Sequence, residues 1–152
     1  MKFFGKSKTS SSSNKDDKTV LFVCVENAGR SQMAEGFFKK YAPNGFKILS
    51  AGTKPVTHVN PIVVQAMKEV GIDISKQKSK ELTDEMIRDS DNVVNMGCMN
   101  KNFCPTIWLP KVIEWSMEDP KGQSIEKVRQ IRDEIEERIK KLVAEITVTT
   151  EK

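Results

Sequence analysis

The sequence predicts an α/β domain: a single domain on a parallel sheet of about four strands with helices on both faces. Three observations carry that prediction. Short apolar runs alternate along the chain with segments of helical periodicity. The first run, TVLFVC from Thr19 to Cys24, is apolar without interruption, the pattern of a strand buried on both faces. The length of 152 residues suffices for one core and not comfortably for two. Strands that alternate with helices are joined by crossovers, which yields a mostly parallel sheet covered on both sides.

The elements follow in order. After TVLFVC, the stretch SQMAEGFFKKYA sets Met33, Ala34, Phe37, Phe38 and Tyr41 on one helical stripe, with Lys39 and Lys40 near its end. GFKILSAG reads as the next strand, and NPIVVQAMKEVG as a helix closed by Gly71. DNVVNM and KVIEWS read as two further strands. A last helix starts at a Ser124 cap and carries Ile125, Val128, Ile131, Ile135, Ile139, Leu142, Val143 and Ile146 on one face. The domain is expected over 19–148. The segment 1–18, a serine run among lysines with few apolar residues, is expected to be a disordered tail.

Charge and composition exclude several classes. The net charge is +4, but five lysines against Asp16 and Asp17 place three of those charges in residues 1–18. A nucleic-acid binder needs its basic surface on the folded part, so no nucleic-acid partner is expected. No apolar stretch approaches the roughly 18 residues of a membrane span. Phe3 and Phe4 fall well short of the apolar centre of roughly 7–15 residues in a secretory signal. The expectation is a cytoplasmic protein with no membrane partner.

Sheets of this type bind ligands outside the carboxyl ends of their strands, and Cys24 stands at such an end. The loop Cys24-Val25-Glu26-Asn27-Ala28-Gly29-Arg30 can point several backbone N–H groups into one concavity, backed by the positive end of the following helix. Arg30 adds a permanently charged fork that matches two oxygens of a tetrahedral oxyanion. Such a field favours the thiolate of Cys24, and Ser31 can donate a hydrogen bond to the sulfur. Cys24 is thus a candidate nucleophile. Alone, the same spacing also fits a small buried residue ending a strand and a solvated arginine starting a helix.

With strand before and helix after, the stretch CVENAGRSQMAEG resembles the low-molecular-weight protein tyrosine phosphatases and the arsenate reductases that share their fold. It is closest to the reductases, in which Asn-x-x-Arg-Ser-Gln-Met-Ala-Glu-Gly is familiar. The resemblance continues through SAGT (50–53), VNPIVVQAMKEVGIDIS (59–75), MGC (96–98) and EWSMEDPKG (114–122). It implies the low-molecular-weight tyrosine phosphatase fold and reduction of arsenate to arsenite, without a cofactor or metal. Catalytic residues would be Cys24, Cys98, Cys104, Arg30 and Asp119, and the oxyanion would be held by Val25, Glu26, Asn27, Ala28, Gly29, Arg30 and Ser31. Phosphate or sulfate would mimic arsenate.

A phosphatase needs one cysteine, the arginine and an acid, whereas a reductase must dispose of two oxidising equivalents. NMGCMNKNFCP supplies Cys98 and Cys104 in a polar segment after the third strand. As the resemblance has it, Cys98 attacks the Cys24–arsenic adduct, and Cys104 takes over the disulfide by exchange. Bridged cysteines need Cα atoms within roughly 7 Å of each other, so residues 97–106 are expected to refold between redox states. Taken alone, the two cysteines could equally be inert and buried. A zinc site would want four Cys or His ligands, and besides these thiols only His58 is present, in what reads as a loop.

Compared with the thioredoxin-linked reductases, Gly97 stands where a second cysteine is familiar, one place before Cys98. The MGC…CP form resembles a branch that uses a low-molecular-weight thiol, so the reductant is thioredoxin or another thiol donor. Asp119, held extended by Pro120, matches the family's general acid. Alone it would be a turn residue. Asn27 is expected to hold the loop in shape, and Glu26 to point to solvent, since a carboxylate turned inward would repel arsenate. Lys80 stands in an acidic position where some relatives complete a potassium site with the residues matching Asn27, Glu35 and Ser50. Trp108 and Trp115 fit either the core or the cleft wall. The alternative function is a phosphatase hydrolysing phosphomonoesters, and a third reading is a non-catalytic thiol sensor or arsenite-binding protein.

Overall fold

The computed structural model describes residues 17–97 and 111–151. Cys98, Cys104, Trp108 and residues 1–16 lie outside them. β1 (Lys18–Cys24) is followed by α1 (Arg30–Tyr41), β2 (Phe46–Gly52), α2 (Pro61–Lys68), α3 (Asp84–Asp89), β3 (Asn92–Asn95), β4 (Val112–Glu114) and α4 (Ile125–Glu151). The four strands form one sheet in the order β2-β1-β3-β4, and all three pairings are parallel. The first strand takes in Lys18, one residue earlier than expected, because its N–H donates to Gly45 O at 2.9 Å.

Alternation along β1 divides the core. Val20, Phe22 and Cys24 join the residues that pack with α1, α2 and α4, including Phe37, Phe38, Val63, Met67, Ile135 and Ile139. Leu21 and Val23 face the other way, toward Val93 and Ile87 of α3. This double burial is why β1 shows no polar alternation. Phe22 is 0 % exposed, and burying such a side chain contributes about 1.5–3 kcal/mol. Its ring meets Phe38 at 5.8 Å and Trp115 at 6.3 Å, which places Trp115 in the core.

Side chains cap the starts of α2 and α4, the second at the expected Ser124. Asn60 accepts from Ile62 N at 3.1 Å at the start of α2, and Ser124 from Lys127 N at 3.2 Å at the start of α4. The helix α3 was not foreseen. It has only six residues, capped by Thr83, whose Oγ1 accepts from Met86 N at 3.1 Å.

The chain runs from β1 to β2 on one side and returns to place β3 on the other. A crevice at the carboxyl ends of the central strands results. Cys24 pairs in register with Gly52 there, Val23 with Asn95, and Asn95 with Glu114.

Candidate active site

The loop from Cys24 to Gly29 is held from outside by its carbonyls. Cys24 O accepts from Thr53 N at 3.2 Å, Val25 O from Lys54 N at 2.8 Å, Glu26 O from Val56 N at 3.2 Å, Ala28 O from Asn60 N at 2.9 Å and Gly29 O from Met33 N at 2.9 Å. Asn27 O accepts from Gln32 Nε2 at 2.9 Å and Ser79 Oγ at 2.8 Å. In a trans peptide the C=O and the following N–H point in opposite directions, and no cis bond is present among the described residues. With the carbonyls turned outward, the N–H groups of residues 25–30 turn toward the loop's interior, the arrangement of an anion-binding nest. No side chain caps α1 at Gly29 and no acidic residue occupies its first turn, so the positive end of that helix also faces the loop.

Asn27 braces the turn. Its φ of 52° is a left-handed conformation that asparagine tolerates. Its Oδ1 accepts from Lys80 N at 2.8 Å, and its Nδ2 donates to Ser31 Oγ at 2.8 Å. Ser31 Oγ lies 2.9 Å from Cys24 Sγ. Since the hydroxyl oxygen already accepts from Asn27, its proton is available to the sulfur. Cys24 is 2 % exposed.

Arg30 is buried, and Nη1 donates to Met117 O at 3.2 Å. Its Nη2 stands 3.6 Å from Asp119 Oδ2, while its buried Nε finds no partner among the described residues. A buried donor of this kind is costly unless something accepts from it. Asp119 is half exposed on its loop, with Oδ1 accepting from Lys121 N at 3.0 Å. A small cleft, open to the centre of a water molecule over only about 10 Å³, is lined by Cys24, Glu26, Ala28, Gly29, Arg30, Asn60, Asp119, Pro120 and Lys121.

Glu26 is partly exposed and meets a neighbouring loop. Its Oε2 accepts from Lys121 Nζ at 2.7 Å, so a neighbouring loop neutralises the charge that solvent was expected to screen. The resulting ion pair raises the Lys121 pKa above the ordinary lysine value.

The residues around Lys80 do not fit a potassium ion. Lys80 Nζ sits 3.5 Å from Ser50 Oγ and 4.0 Å from Glu35 Oε1, and donates to Lys78 O at 2.6 Å. The protein's own ammonium stands where a cation would, and burial lowers its pKa.

The geometry thus brings Cys24, Asn27, Arg30, Ser31 and Asp119 together. Cys98 and Cys104 fall outside the described residues. Sequence reasoning missed three contributors. Gly97 has φ +112°, and a β-carbon there would collide with Arg30 Nη1. Gly52 lets the loop close on β2, since a β-carbon would lie 2.5 Å from Val25 O. Lys121 holds Glu26. Glycines at or near the carboxyl ends of two strands were the available signal for the first two.

Residues 19–152 match the family described as low molecular weight phosphotyrosine protein phosphatase. The chain belongs to that family. Within the family it is 41% identical over 125 residues to an arsenate reductase of Brevibacillus brevis, covering 82% of this chain and 92% of that one. It is 39% identical over 132 residues to a glutaredoxin arsenate reductase of Synechocystis, covering 86% and 99%. Among solved structures, an arsenate reductase in the phosphate binding state superposes with a TM-score of 0.76 at 37% identity, covering 85% of this chain and 98% of that one.

Proposed function

We propose that this member of the low molecular weight phosphatase family reduces arsenate to arsenite in the cytoplasm. The observation that carries the proposal is the buried Cys24 thiol in a loop with outward carbonyls, beside an Arg30 whose Nε has no partner among the described residues. The likeness to proteins named arsenate reductase supports the choice of oxyanion. Among the described residues, no helix is long and apolar enough to cross a membrane.

The loop amides and Arg30 bind arsenate, and Ser31 donates to the Cys24 sulfur. The thiolate attacks arsenic, an oxygen leaves as water, and Asp119 supplies its proton. Cys98 thiolate then attacks Cys24 Sγ. The sulfur–arsenic bond breaks with its electron pair moving to arsenic, which becomes arsenite, and a Cys24–Cys98 disulfide remains. Cys104 thiolate attacks Cys98, releases Cys24 as thiolate and leaves a Cys98–Cys104 disulfide. A dithiol protein such as thioredoxin, or another thiol donor, returns that disulfide to two thiols. The described chain reaches Gly97 against Arg30, and Cys98 is the next residue in sequence.

The family's phosphatases make hydrolysis of phosphomonoesters the second reading. Wild type and Cys98→Ser compared on arsenate with a thiol donor and on an aryl phosphate decide between the two. A reductase loses arsenate turnover in the variant and keeps any phosphatase side reaction. Arsenate turnover that survives in Cys98→Ser, or is missing from the wild type, overturns the proposal.

A further inference from the structure

Two loops face each other over the Cys24 sulfur, and besides the bond from Arg30 Nη1 to Met117 O they meet in three places. Deepest, Arg30 Nη2 and Asp119 Oδ2 approach to 3.6 Å. On one flank Gly29 packs so tightly on Pro120 that a β-carbon would lie 2.8 Å from the ring Cγ. On the other flank Glu26 Oε2 and Lys121 Nζ close at 2.7 Å, linking residues 95 positions apart. Both of these side chains line the cleft that holds Cys24. A carboxylate at the mouth of an anion pocket works against binding, and here the contact with Lys121 offsets it.

We infer that the Glu26–Lys121 ion pair is a bar across the mouth of the pocket, selecting bare inorganic oxyanions over organic phosphomonoesters. The inference rests on the proposed binding of a tetrahedral oxyanion at Cys24 and adds which oxyanions enter. The cleft that both side chains line is open to the centre of a water over only about 10 Å³, which leaves little free room beside a bound tetrahedral ion. An inorganic ion presents nothing beyond its oxygens. A phosphomonoester seats the same tetrahedron, but its ester oxygen must lie opposite the attacking sulfur, on the Asp119 side. The organic group then leaves through the gap that Glu26 and Lys121 span, and the pair must break to admit it. Exposed ion pairs are weak, so this one sets a preference of about two- to fivefold.

The test uses the full chain as wild type, Glu26→Gln, Lys121→Met and the exchange Glu26→Lys/Lys121→Glu. Two quantities are measured: kcat/KM on para-nitrophenyl phosphate, and the dissociation constant of inorganic phosphate from its protection of Cys24 against alkylation. Both single variants raise the ratio of aryl phosphate kcat/KM to phosphate affinity by about two- to fivefold, mainly through KM, and the exchange returns it toward wild type. In wild type the ratio climbs with ionic strength, as screening loosens the pair. The two variants remove charges of opposite sign, so a general electrostatic effect would move both anions together and leave the ratio in place. A ratio unchanged in both variants, or shifted in opposite directions, overturns the inference, as does an absence of aryl phosphate turnover throughout. Wild type that fails to bind phosphate at all overturns the oxyanion pocket itself, which separates the two failures.

Discussion

At Gly97 the backbone adopts φ +112° directly in front of Arg30, and two costs of a side chain there coincide. A non-glycine residue held in a sparsely populated conformation costs about 1–3 kcal/mol, and the added β-carbon displaces the guanidinium from its contact with Met117 O. Gly97→Ala is therefore expected to lower kcat/KM for arsenate by about ten- to a hundredfold, the scale of a misplacement near 1 Å. Steady-state kinetics beside a melting curve separates this from simple unfolding, since phosphate protection of Cys24 should weaken in protein that still melts cooperatively. Lys80 makes a second residue-scale prediction. With its ammonium among Ser50, Glu35 and Lys78 O, wild-type turnover and melting temperature should be the same in potassium and sodium buffers at equal ionic strength. A clear potassium dependence in wild type would show that the lysine does not replace the ion.

Between elements, Glu69, at the end of α2, links it to α4 by receiving Arg129 Nη2 at 2.7 Å and Arg132 Nη1 at 2.9 Å. The hydrogen bond from Arg129, with that from Arg132 and the charge of both, holds its pKa at about 2, below the ordinary 4.5. A carboxylate whose pKa is depressed on folding stabilises the fold above the unfolded value, and loses that contribution as pH falls through the folded one. Glu69→Gln should thus lower the urea midpoint at pH 7, and its deficit against wild type should shrink as pH is taken from about 4.5 toward about 2. A deficit that stays constant over that range would assign the loss to packing. These elements were legible in the sequence because each carries a long or uninterrupted pattern: β1 is apolar from Val20 to Cys24, and α4 repeats its apolar stripe over many turns. The helix α3 offers one buried residue, Ile87, too little for a period, and its only signal was Thr83 followed by Asp84 and Glu85. The site divides in the same way. Cys24, Asn27, Arg30 and Ser31 belong to one local motif and could be read together, whereas Glu26 with Lys121 and Arg30 with Gly97 are pairings made by the tertiary fold, which no spacing rule reveals.

For the whole molecule, the strand order β2-β1-β3-β4 draws the proposed chemistry from three carboxyl ends: Cys24 ends β1, Gly97 follows β3, and Asp119 follows β4. A sheet that holds these ends side by side can keep the oxyanion pocket fixed while oxidation is passed away from it, which a single loop could not do. The cysteine relay then has a stoichiometric signature. Given arsenate and no external reductant, wild type should release one arsenite per chain and finish with a Cys98–Cys104 disulfide, freeing Cys24 for alkylation. Cys104→Ser should also release one arsenite but stop with Cys24 and Cys98 joined and Cys24 protected. Cys98→Ser should release none. Peptide mass mapping with arsenite quantified in the same samples reads all three outcomes. With no external thiol present, arsenite from Cys98→Ser at the wild-type level would mean that Cys104 attacks Cys24 directly and leaves a Cys24–Cys104 disulfide, and the proposed order of the relay, with Cys98 as the first electron donor, would then fail.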